Sequence, residues 1–243
     1  METKVIKLKC HQDFVSYKRP GTFELKETYY LPSYSTIIGM VHNACDFTKY
    51  HDMKISVQGN HKSKIIDMYT CYEFMPEWKY DPTRHQVKFK YNDKEIGMSK
   101  GPKYIELLIE VDLIIHIEVR VDIADKVFKA LKNPNKFLSL GRHEDLLRID
   151  EVKEVTVKEC ILNEIEKIKY NAYIPIDLFE NQDNDNSVLY GTYYTINKKY
   201  KIENNYRRWE EKVDVIFGSN VESLLFQDFS VTKDEDGDLI FLA

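Results

Sequence analysis

The stretch that most constrains the fold is an uninterrupted alternation from Ile105 to Val121. Every odd-numbered residue in it is apolar, and most even-numbered residues are polar. Side chains of a β-strand point to opposite faces with a period of two, so the pattern predicts one long strand. Its span, roughly 55 Å at ~3.3 Å per residue, exceeds that of an ordinary sheet. Part of the strand is therefore expected to project beyond the sheet, and His116 is expected to be a half-exposed sheet residue.

Residues 60–103, just before this strand, form a basic and aromatic insertion that would supply the projecting arm. His85–Tyr91 alternates again, and Asn92–Asp93 is a typical hairpin turn. Lysines on such an arm would follow a phosphate backbone, and its aromatic rings could stack on bases. A hairpin with solvated lysines and a small aromatic cluster would give the same pattern. The cations considered for the arm are Lys62, Lys64, Arg84, Lys88 and Lys90.

The order of the elements predicted in residues 1–158 is strand, helix, strand, strand, helix, strand. This is the ferredoxin-like βαββαβ order, which RNA-recognition modules share. The sequence thus predicts an α+β chain with a ferredoxin-like domain over residues 1–158 and the basic hairpin arm, 60–103, inserted between its second and third strands. The other predicted elements are the strand Val5–Cys10, a helix that starts within Leu31–Ser35, the strand Met53–Gly59, the helix Ile123–Lys132 capped by Asp122, and the strand Val152–Lys158.

Residues 159–243 predict a smaller, mainly β region with a short helix. The segment Asp234–Asp238 (DEDGD) resembles part of a calcium loop, but Leu239 stands where that loop needs glycine, which favours a hairpin turn. The predicted elements are strands at Ile174–Leu178 and Leu189–Ile196, a polar loop at Asn181–Ser187 and a helix at Tyr206–Val215.

Charge is distributed unevenly along the chain, whose net charge is −5. Residues 1–103 carry a net charge of +5, and residues 104–243 carry −10. The asymmetry indicates that residues 1–103 form a basic functional surface and that residues 104–243 form an acidic back. The acidic back could equally face a protein partner.

Several classes of function lack support in the sequence. No apolar run approaches the roughly 20 residues of a membrane span, and the start, METKVIKLKCHQ, has no apolar signal region. The four cysteines form no CxxC pair, and the seven histidines lack ligand spacing. No glycine-rich nucleotide loop is present. We therefore expect a reduced, cytoplasmic protein without a metal or cofactor and without a membrane partner.

A cationic loop leads into the first predicted helix. Lys18 and Arg19 lie in the loop, and Ser33 or Ser35 can cap the helix because a serine oxygen accepts from a free N–H there. A helix start with free N–H groups and two nearby cations suits a phosphate. A surface loop that only connects to a core helix is the alternative. The predicted apolar face of the helix consists of Ile37, Ile38, Val41, Ala44 and Cys45.

Cleavage of RNA without a metal needs only a general acid or base and a cation. His11, His42, Lys49 and Tyr50 lie near the first helix in the sequence and could supply these groups. The alternative is that His42 is a hydrogen-bonded residue on the helix flank and that Tyr50 packs against it.

Two motifs stand out from the rest of residues 1–158. The first motif comprises Tyr17–Phe23, Lys26–Tyr29 and Leu31–Met40, continued by Phe47 and Val57–Gly59. The second is Leu140–Glu144. Together they resemble the motifs of a CRISPR-associated family, the fifth Cas family of the RAMP superfamily, in the form found in type I-B systems. The resemblance covers residues 3–158 and is weaker over 159–243.

The resemblance implies a non-catalytic subunit of the Cascade interference complex that acts in antiviral defence. It would bind and cap the 5′ handle of the crRNA, insert a thumb against the guide, and contact the backbone subunit and the large subunit, with target DNA reached through the complex. Carried to matching positions, the handle site would contain Lys18, Arg19, Tyr34, Ser35, Arg142 and His143. The thumb cations belong to the same predicted interface by charge and location only.

Two functional hypotheses remain open at this point. One is the non-catalytic RNA-binding subunit, and the other is a metal-independent endoribonuclease that processes CRISPR repeat RNA, as relatives in type I-C systems do. Type I-B systems normally encode a separate processing nuclease, which favours the first.

Overall fold

The computed structural model describes residues 3–180, 191–204, 206–225 and 229–243, which form a largely antiparallel sheet with helices α1 and α2 on one face. The helices are α1 (Tyr34–Ala44), α2 (Val121–Lys132) and the single turn α3 (Asp177–Glu180). The strands are β1 (Thr3–Val15), β2 (Tyr17–Lys18), β3 (Leu25–Lys26), β4 (Thr28–Tyr29), β5 (Met53–Lys79), β6 (Gln86–Tyr91), β7 (Lys94–Val119), β8 (Arg148–Ile161), β9 (Glu166–Lys167), β10 (Asn171–Pro175), β11 (Gly191–Glu203), β12 (Tyr206–Gly218), β13 (Leu224–Leu225), β14 (Ser230–Asp234) and β15 (Leu239–Ile240).

The strands of the main sheet lie in the order β11-β12-β10-β5-β7-β1-β8-β14-β15. Its centre, β5-β7-β1-β8, is antiparallel at every pairing. The strands from residues 159–243 extend this sheet on both edges, and the boundary predicted at residue 158 falls within β8. None of the helices in the described ranges is long and apolar enough to cross a bilayer.

The long strand predicted from the alternation is present, and β7 extends it to 26 residues. The predicted continuous parity is wrong at Glu110, whose φ is +49°. Leu108 and Val111 on either side of it are both fully buried, although three positions apart. Pairing with β5 continues through this point, from Ser63–Ile109 to His61–Val111. The left-handed residue therefore rotates the side chains without ending the strand.

The projecting arm is also confirmed. Beyond the sheet, β5 and β7 remain paired as far as Phe74 and Met98, and β6 folds back along β7. Asn92 and Asp93 form the turn with φ values of +48° and +59°, as a two-residue hairpin of the observed twist requires. The arm is thus the continuation of two core strands, which fixes its orientation at the base.

Helix α1 buries the predicted apolar face against the sheet. Its N-cap is Ser33, whose carbonyl accepts from the N–H groups of Thr36 and Ile37. Helix α2 begins at Val121, two residues before the predicted start, and its N-cap is Arg120 rather than Asp122. Asp122 instead forms an ion pair with Arg120.

The predicted helix at Tyr206–Val215 is wrong, because this segment is strand β12. It pairs with β11 from Glu203–Tyr206 to Gly191–Gly218 and with β10 on its other side. The helix-favouring charged residues of the segment lie in its exposed half, so local propensity is overridden by pairing with β11. The strand predicted at Leu189–Ile196 is present from Gly191 onward, while the polar loop Asn181–Ser187 and Leu189 lie outside the described residues.

The segment Asp234–Asp238 is a turn between β14 and β15, as predicted. The ammonium of Lys7 lies 2.5, 2.7 and 2.6 Å from carboxylate oxygens of Asp234, Asp236 and Asp238. His116 is fully buried, and its Nε2 is 3.1 Å from Asp234. The prediction of a half-exposed His116 is wrong because β14 and β15 cover this part of the sheet's second face.

Candidate nucleic-acid interface

A groove lies where the cationic loop, the start of α1 and the β11–β12 hairpin meet. Its volume is about 690 Å³. Among its lining residues, all within the described ranges, three are cationic and none is acidic. This binding groove is lined by Lys18, Arg19, Pro20, Tyr29, Ser33, Ser35, Thr36, Gly39, Met40, Asn43, Ser139, Gly141, Asn197, Tyr200, Arg207 and Trp209.

Arg19 is held in place from several directions. Its guanidinium donates to Glu27 at 3.0 Å and lies 5.6 Å from the ring centre of Tyr29 and 5.7 Å from that of Tyr194. Pairing of β2 with β4 keeps the backbone of the loop next to these partners. Lys18 is exposed at the same edge. The loop therefore presents one orientated cation and one free to follow a ligand.

The start of α1 forms the floor of the groove. The hydroxyl of Ser33 hydrogen-bonds to that of Ser35 at 3.0 Å and to that of Thr36 at 2.8 Å. The predicted side-chain cap is wrong, since Ser33 is the N-cap but makes no side-chain hydrogen bond to the helix backbone. The first N–H groups of a helix have no intrahelical partner and carry partial positive charge. The floor thus suits an anion.

The β11–β12 hairpin supplies groove residues that the sequence analysis missed. Pairing between the two strands is irregular on either side of Lys199. A bulge shifts the alternation of side chains, and Asn197 and Tyr200, three positions apart, consequently line the same wall. Arg207 and Trp209 lie opposite on β12. Interpreting this segment as a strand, in which positions 207 and 209 share a face, would have brought these residues together.

The second sequence motif, Leu140–Glu144, forms a loop next to the cationic loop. Asp145 is buried, and its carboxylate accepts from the backbone N–H of Ser16 at 3.1 Å and from that of Arg142 at 2.8 Å. The guanidinium of Arg142 also donates to Asp145, at 2.6 Å. Gly141, with φ +114°, lines the groove, while Arg142 faces Asp145 and His143 is exposed. The motif and Arg19 therefore meet at one groove through Gly141.

Tyr34 is not a surface contact, contrary to its predicted place in the handle site. Its side chain is fully buried and packs edge-on against Tyr173 with ring centres 6.1 Å apart. Burial raises the pKa of its hydroxyl above the ordinary value. Ser35, by contrast, lines the groove as predicted.

The five predicted arm cations do not line the binding groove. Lys90 is exposed. The other four lie next to carboxylates, which neutralise part of the basic face expected from the sequence. These ion pairs are Lys62–Glu110, Lys64–Glu106, Arg84–Asp81 and Lys88–Glu95.

The groups considered for acid–base catalysis occupy different surroundings. The N–H of His51 donates to Nε2 of His42 at 2.9 Å, so Nδ1 of His42 carries the proton and donates to the carbonyl of Ile38 at 2.8 Å. Burial lowers the pKa of His42, which favours this neutral form. His11 lies on β1, where its hydrogen bond to Asp112 raises its pKa.

Tyr50 stacks on His42 with ring centres 5.6 Å apart, in agreement with the packing alternative, and burial raises its pKa. The ammonium of Lys199 lies 5.0 Å from the Tyr50 ring centre. Lys49 is exposed. The contacts described for His11, His42, Lys49 and Tyr50 therefore do not bring all four side chains to one site.

Comparison with known proteins places this geometry in context. The family model described as "CRISPR-associated protein (Cas_Cas5)" matches residues 5–208. A search of curated proteins gave no significant match. A chain of the structure named "CRISPR RNA-guided surveillance complex" is similar with a TM-score of 0.52 and 13% identity, over 93% of this chain and 91% of that one.

Two further structures are similar at lower TM-scores. A CRISPR protein from Archaeoglobus fulgidus has a TM-score of 0.44 and 12% identity over 99% of both chains. A chain of a type III-B Cmr-beta structure bound to target RNA has a TM-score of 0.46 and 14% identity, over 91% of this chain and 86% of that one.

Proposed function

Because the chain belongs to the CRISPR-associated Cas5 family, we propose that it is a non-catalytic, RNA-binding subunit of a type I surveillance complex, of the form found in type I-B systems. The binding groove would hold the 5′ handle of the crRNA and cap one end of the assembly. The fold shared with a chain of a CRISPR RNA-guided surveillance complex supports a place in such an assembly.

The observation that carries this proposal is the composition of the groove. Lys18, Arg19 and Arg207 face a space that also contains the aromatic rings of Tyr200 and Trp209. A single-stranded RNA presents a phosphate for the cations and a base face for the rings at each nucleotide. Among the described residues no acidic side chain lines the groove, and the carboxylate of Glu27 beside it is paired with Arg19.

The architecture supports the same assignment. We infer that β1, α1, β5, β7, α2 and β8 form a ferredoxin-like module, because they follow the βαββαβ order and their strands lie as β8-β1-β7-β5 with antiparallel neighbours. The arm would act as the thumb against the guide. The backbone and large subunits would bind nearby, and target DNA would be reached through the complex.

The test is binding of handle RNA to the purified protein, compared with a scrambled RNA of equal length. Tighter binding of the handle, and its loss in Lys18→Glu with Arg19→Glu, are expected. A matched control is Lys129→Glu with Lys132→Glu, which reverses two exposed charges on α2 outside the groove. Equal binding of both RNAs, or equal effects of the two double variants, would contradict the proposal.

Catalysis is tested in the same preparation by incubating repeat RNA without divalent metal. Intact RNA is the expected result. Cleavage that disappears in His42→Ala, with the variant still folded by circular dichroism, would replace this proposal by the endoribonuclease.

A further inference from the structure

We propose that the β11–β12 hairpin is a nucleotide clamp: the base of one unpaired nucleotide stacks on Trp209, and Arg207 neutralises its phosphate. This inference rests on the proposed function. It assigns part of the RNA binding to a hairpin that lies outside the two sequence motifs. The four clamp residues are Asn197, Tyr200, Arg207 and Trp209.

The clamp aromatics are ordered before a ligand arrives. Tyr200 and Trp209 are directly opposite each other in the hairpin, and their rings meet edge-on at 5.6 Å and 79°. The guanidinium of Arg207 lies 4.8 Å from the ring centre of Tyr200. Trp209, braced by Tyr200, still leaves 40% of its surface exposed in the groove. A fixed, partly exposed indole is a ready surface for stacking, because little side-chain entropy remains to be lost on binding.

The bulge in β11 gives this wall its shape. In a regular strand Asn197 and Tyr200 would point to opposite faces, and one of them would leave the groove. The irregular pairing on either side of Lys199 places both in it. Lys198, within the bulge, is buried and forms an ion pair with Glu211 at 2.7 Å. The bulge is therefore anchored rather than loose, and Asn197 brings an amide that can both donate to and accept from a base edge.

The hairpin is held close enough to the cationic loop for one ligand to contact both. Tyr194 at the base of β11 contacts the Arg19 guanidinium, and Lys199 contacts Tyr50 beyond the end of α1. A nucleotide on Trp209 would thus continue a strand of RNA whose other phosphates lie at Lys18 and Arg19. The base must be unpaired, because a base inside a duplex has no free face for the indole.

The test uses Trp209 as its own reporter. The chain has two tryptophans, so Trp78→Phe leaves Trp209 as the only one. Quenching of its fluorescence on addition of single-stranded handle RNA is expected. In this background Trp209→Phe should retain most binding, whereas Trp209→Ala in the wild-type chain should weaken it about 5- to 150-fold, the range for loss of one stacked base.

Arg207 has a matched control in the next residue. Arg208 is also exposed but does not line the groove. Arg207→Ala should weaken RNA binding and Arg208→Ala should leave it nearly unchanged. The melting temperature of each variant is measured beside its affinity, so that loss of fold is separated from loss of contact.

The outcomes separate this inference from the proposed function. Binding that depends on Lys18 and Arg19 but is unaffected by Trp209→Ala, with no quenching of Trp209, would overturn the clamp and leave the handle site in place. Absence of RNA binding by the wild-type protein would overturn both.

Discussion

The ammonium of Lys7 lies 2.5 Å from the carboxylate of Asp234, and both side chains are fully buried. Asp236 and Asp238 complete a ring of three carboxylates around the same nitrogen. The three aspartates are close enough together to hold a metal ion, and the lysine already occupies the space between them. The first strand is thereby fastened to the turn between β14 and β15.

Removing the charge of Lys7 should be strongly destabilising. In Lys7→Met the buried Asp234 carboxylate loses its principal counter-ion, and we expect the free energy of unfolding to fall by about 3–5 kcal/mol. Chemical denaturation followed by circular dichroism measures this. Lys9→Met is the control, because Lys9 forms a half-exposed ion pair with Glu151 that should contribute about 1 kcal/mol or less. Equal losses in the two variants would contradict the special role of Lys7.

The contribution of Lys7 and its three aspartates to the free energy of unfolding should be constant across a wide pH range. Burial alone would raise the pKa of Asp234, but hydrogen bonds from His116 and Lys7 outweigh it and lower the pKa below the ordinary value of 3.8. Burial alone would lower the pKa of Lys7, but the three carboxylates outweigh it and raise the pKa above 10.5. The stabilisation from Asp234 is complete above its unfolded pKa and is lost as pH falls through the folded value. That from Lys7 is complete below its unfolded pKa and is lost as pH rises through the folded value.

The measurement is the difference in unfolding free energy between wild type and Lys7→Met as a function of pH. It should be constant from about neutral pH to about pH 10 and should shrink above that, where Lys7 of the wild type loses its proton. It should also shrink in acid, because the Asp234 carboxyl of the variant is buried without the ammonium and gains a proton more readily than that of the wild type. A difference that grows as the pH falls would contradict this assignment.

Gly141→Ala should damage both the fold and the groove. A Cβ at this position, where φ is +114°, would lie 2.8 Å from Oδ2 of Asp145 and 2.8 Å from Cγ2 of Val15. The backbone conformation alone costs about 1–2 kcal/mol for a residue with a Cβ, and weakening the hydrogen bonds of Asp145 adds about 1–3 kcal/mol. Gly21→Ala is the control, since its φ is +81° but a Cβ there meets nothing within 4 Å. Thermal and chemical denaturation compare the two, and equal losses would exclude the contact with Asp145.

RNA binding should weaken with salt in proportion to the phosphates contacted. Three groove cations predict a slope of log affinity against log salt of about −2 for single-stranded RNA, and Arg207→Ala should reduce its magnitude by about 0.7. Arg208→Ala should leave the slope as in wild type. Fluorescence anisotropy at several salt concentrations gives these slopes. An unchanged slope in Arg207→Ala would place its phosphate contact elsewhere.

Features that depend on the pattern of neighbouring residues were predictable from the sequence. The alternation after Ile105, the turn at Asn92–Asp93 and the apolar face of α1 all appear where expected, since neighbours along the chain determine them. The left-handed residue Glu110 was not predictable, because an alternating pattern continues through it unchanged.

Features that depend on distant partners were predicted poorly. Tyr34 belongs to a recognisable motif, yet its ring is buried against Tyr173, a contact that no local pattern reveals. His116 is buried by strands more than a hundred positions later in the chain. The groove residues Arg207 and Trp209 on β12 were not predicted from the sequence. They lie in a charged segment that forms a strand because it pairs with β11.

Lys7 and Asp234 are separated by 227 positions in the sequence. A ribosome therefore exposes the first strand long before it makes the carboxylates that neutralise its lysine. Throughout that interval the nascent sheet would have to leave this ammonium in water, so the face of the sheet on which Lys7 lies stays open. Closure of this face therefore has to wait until the three aspartates have been made, and a chain that lacks them would leave the Lys7 ammonium in water.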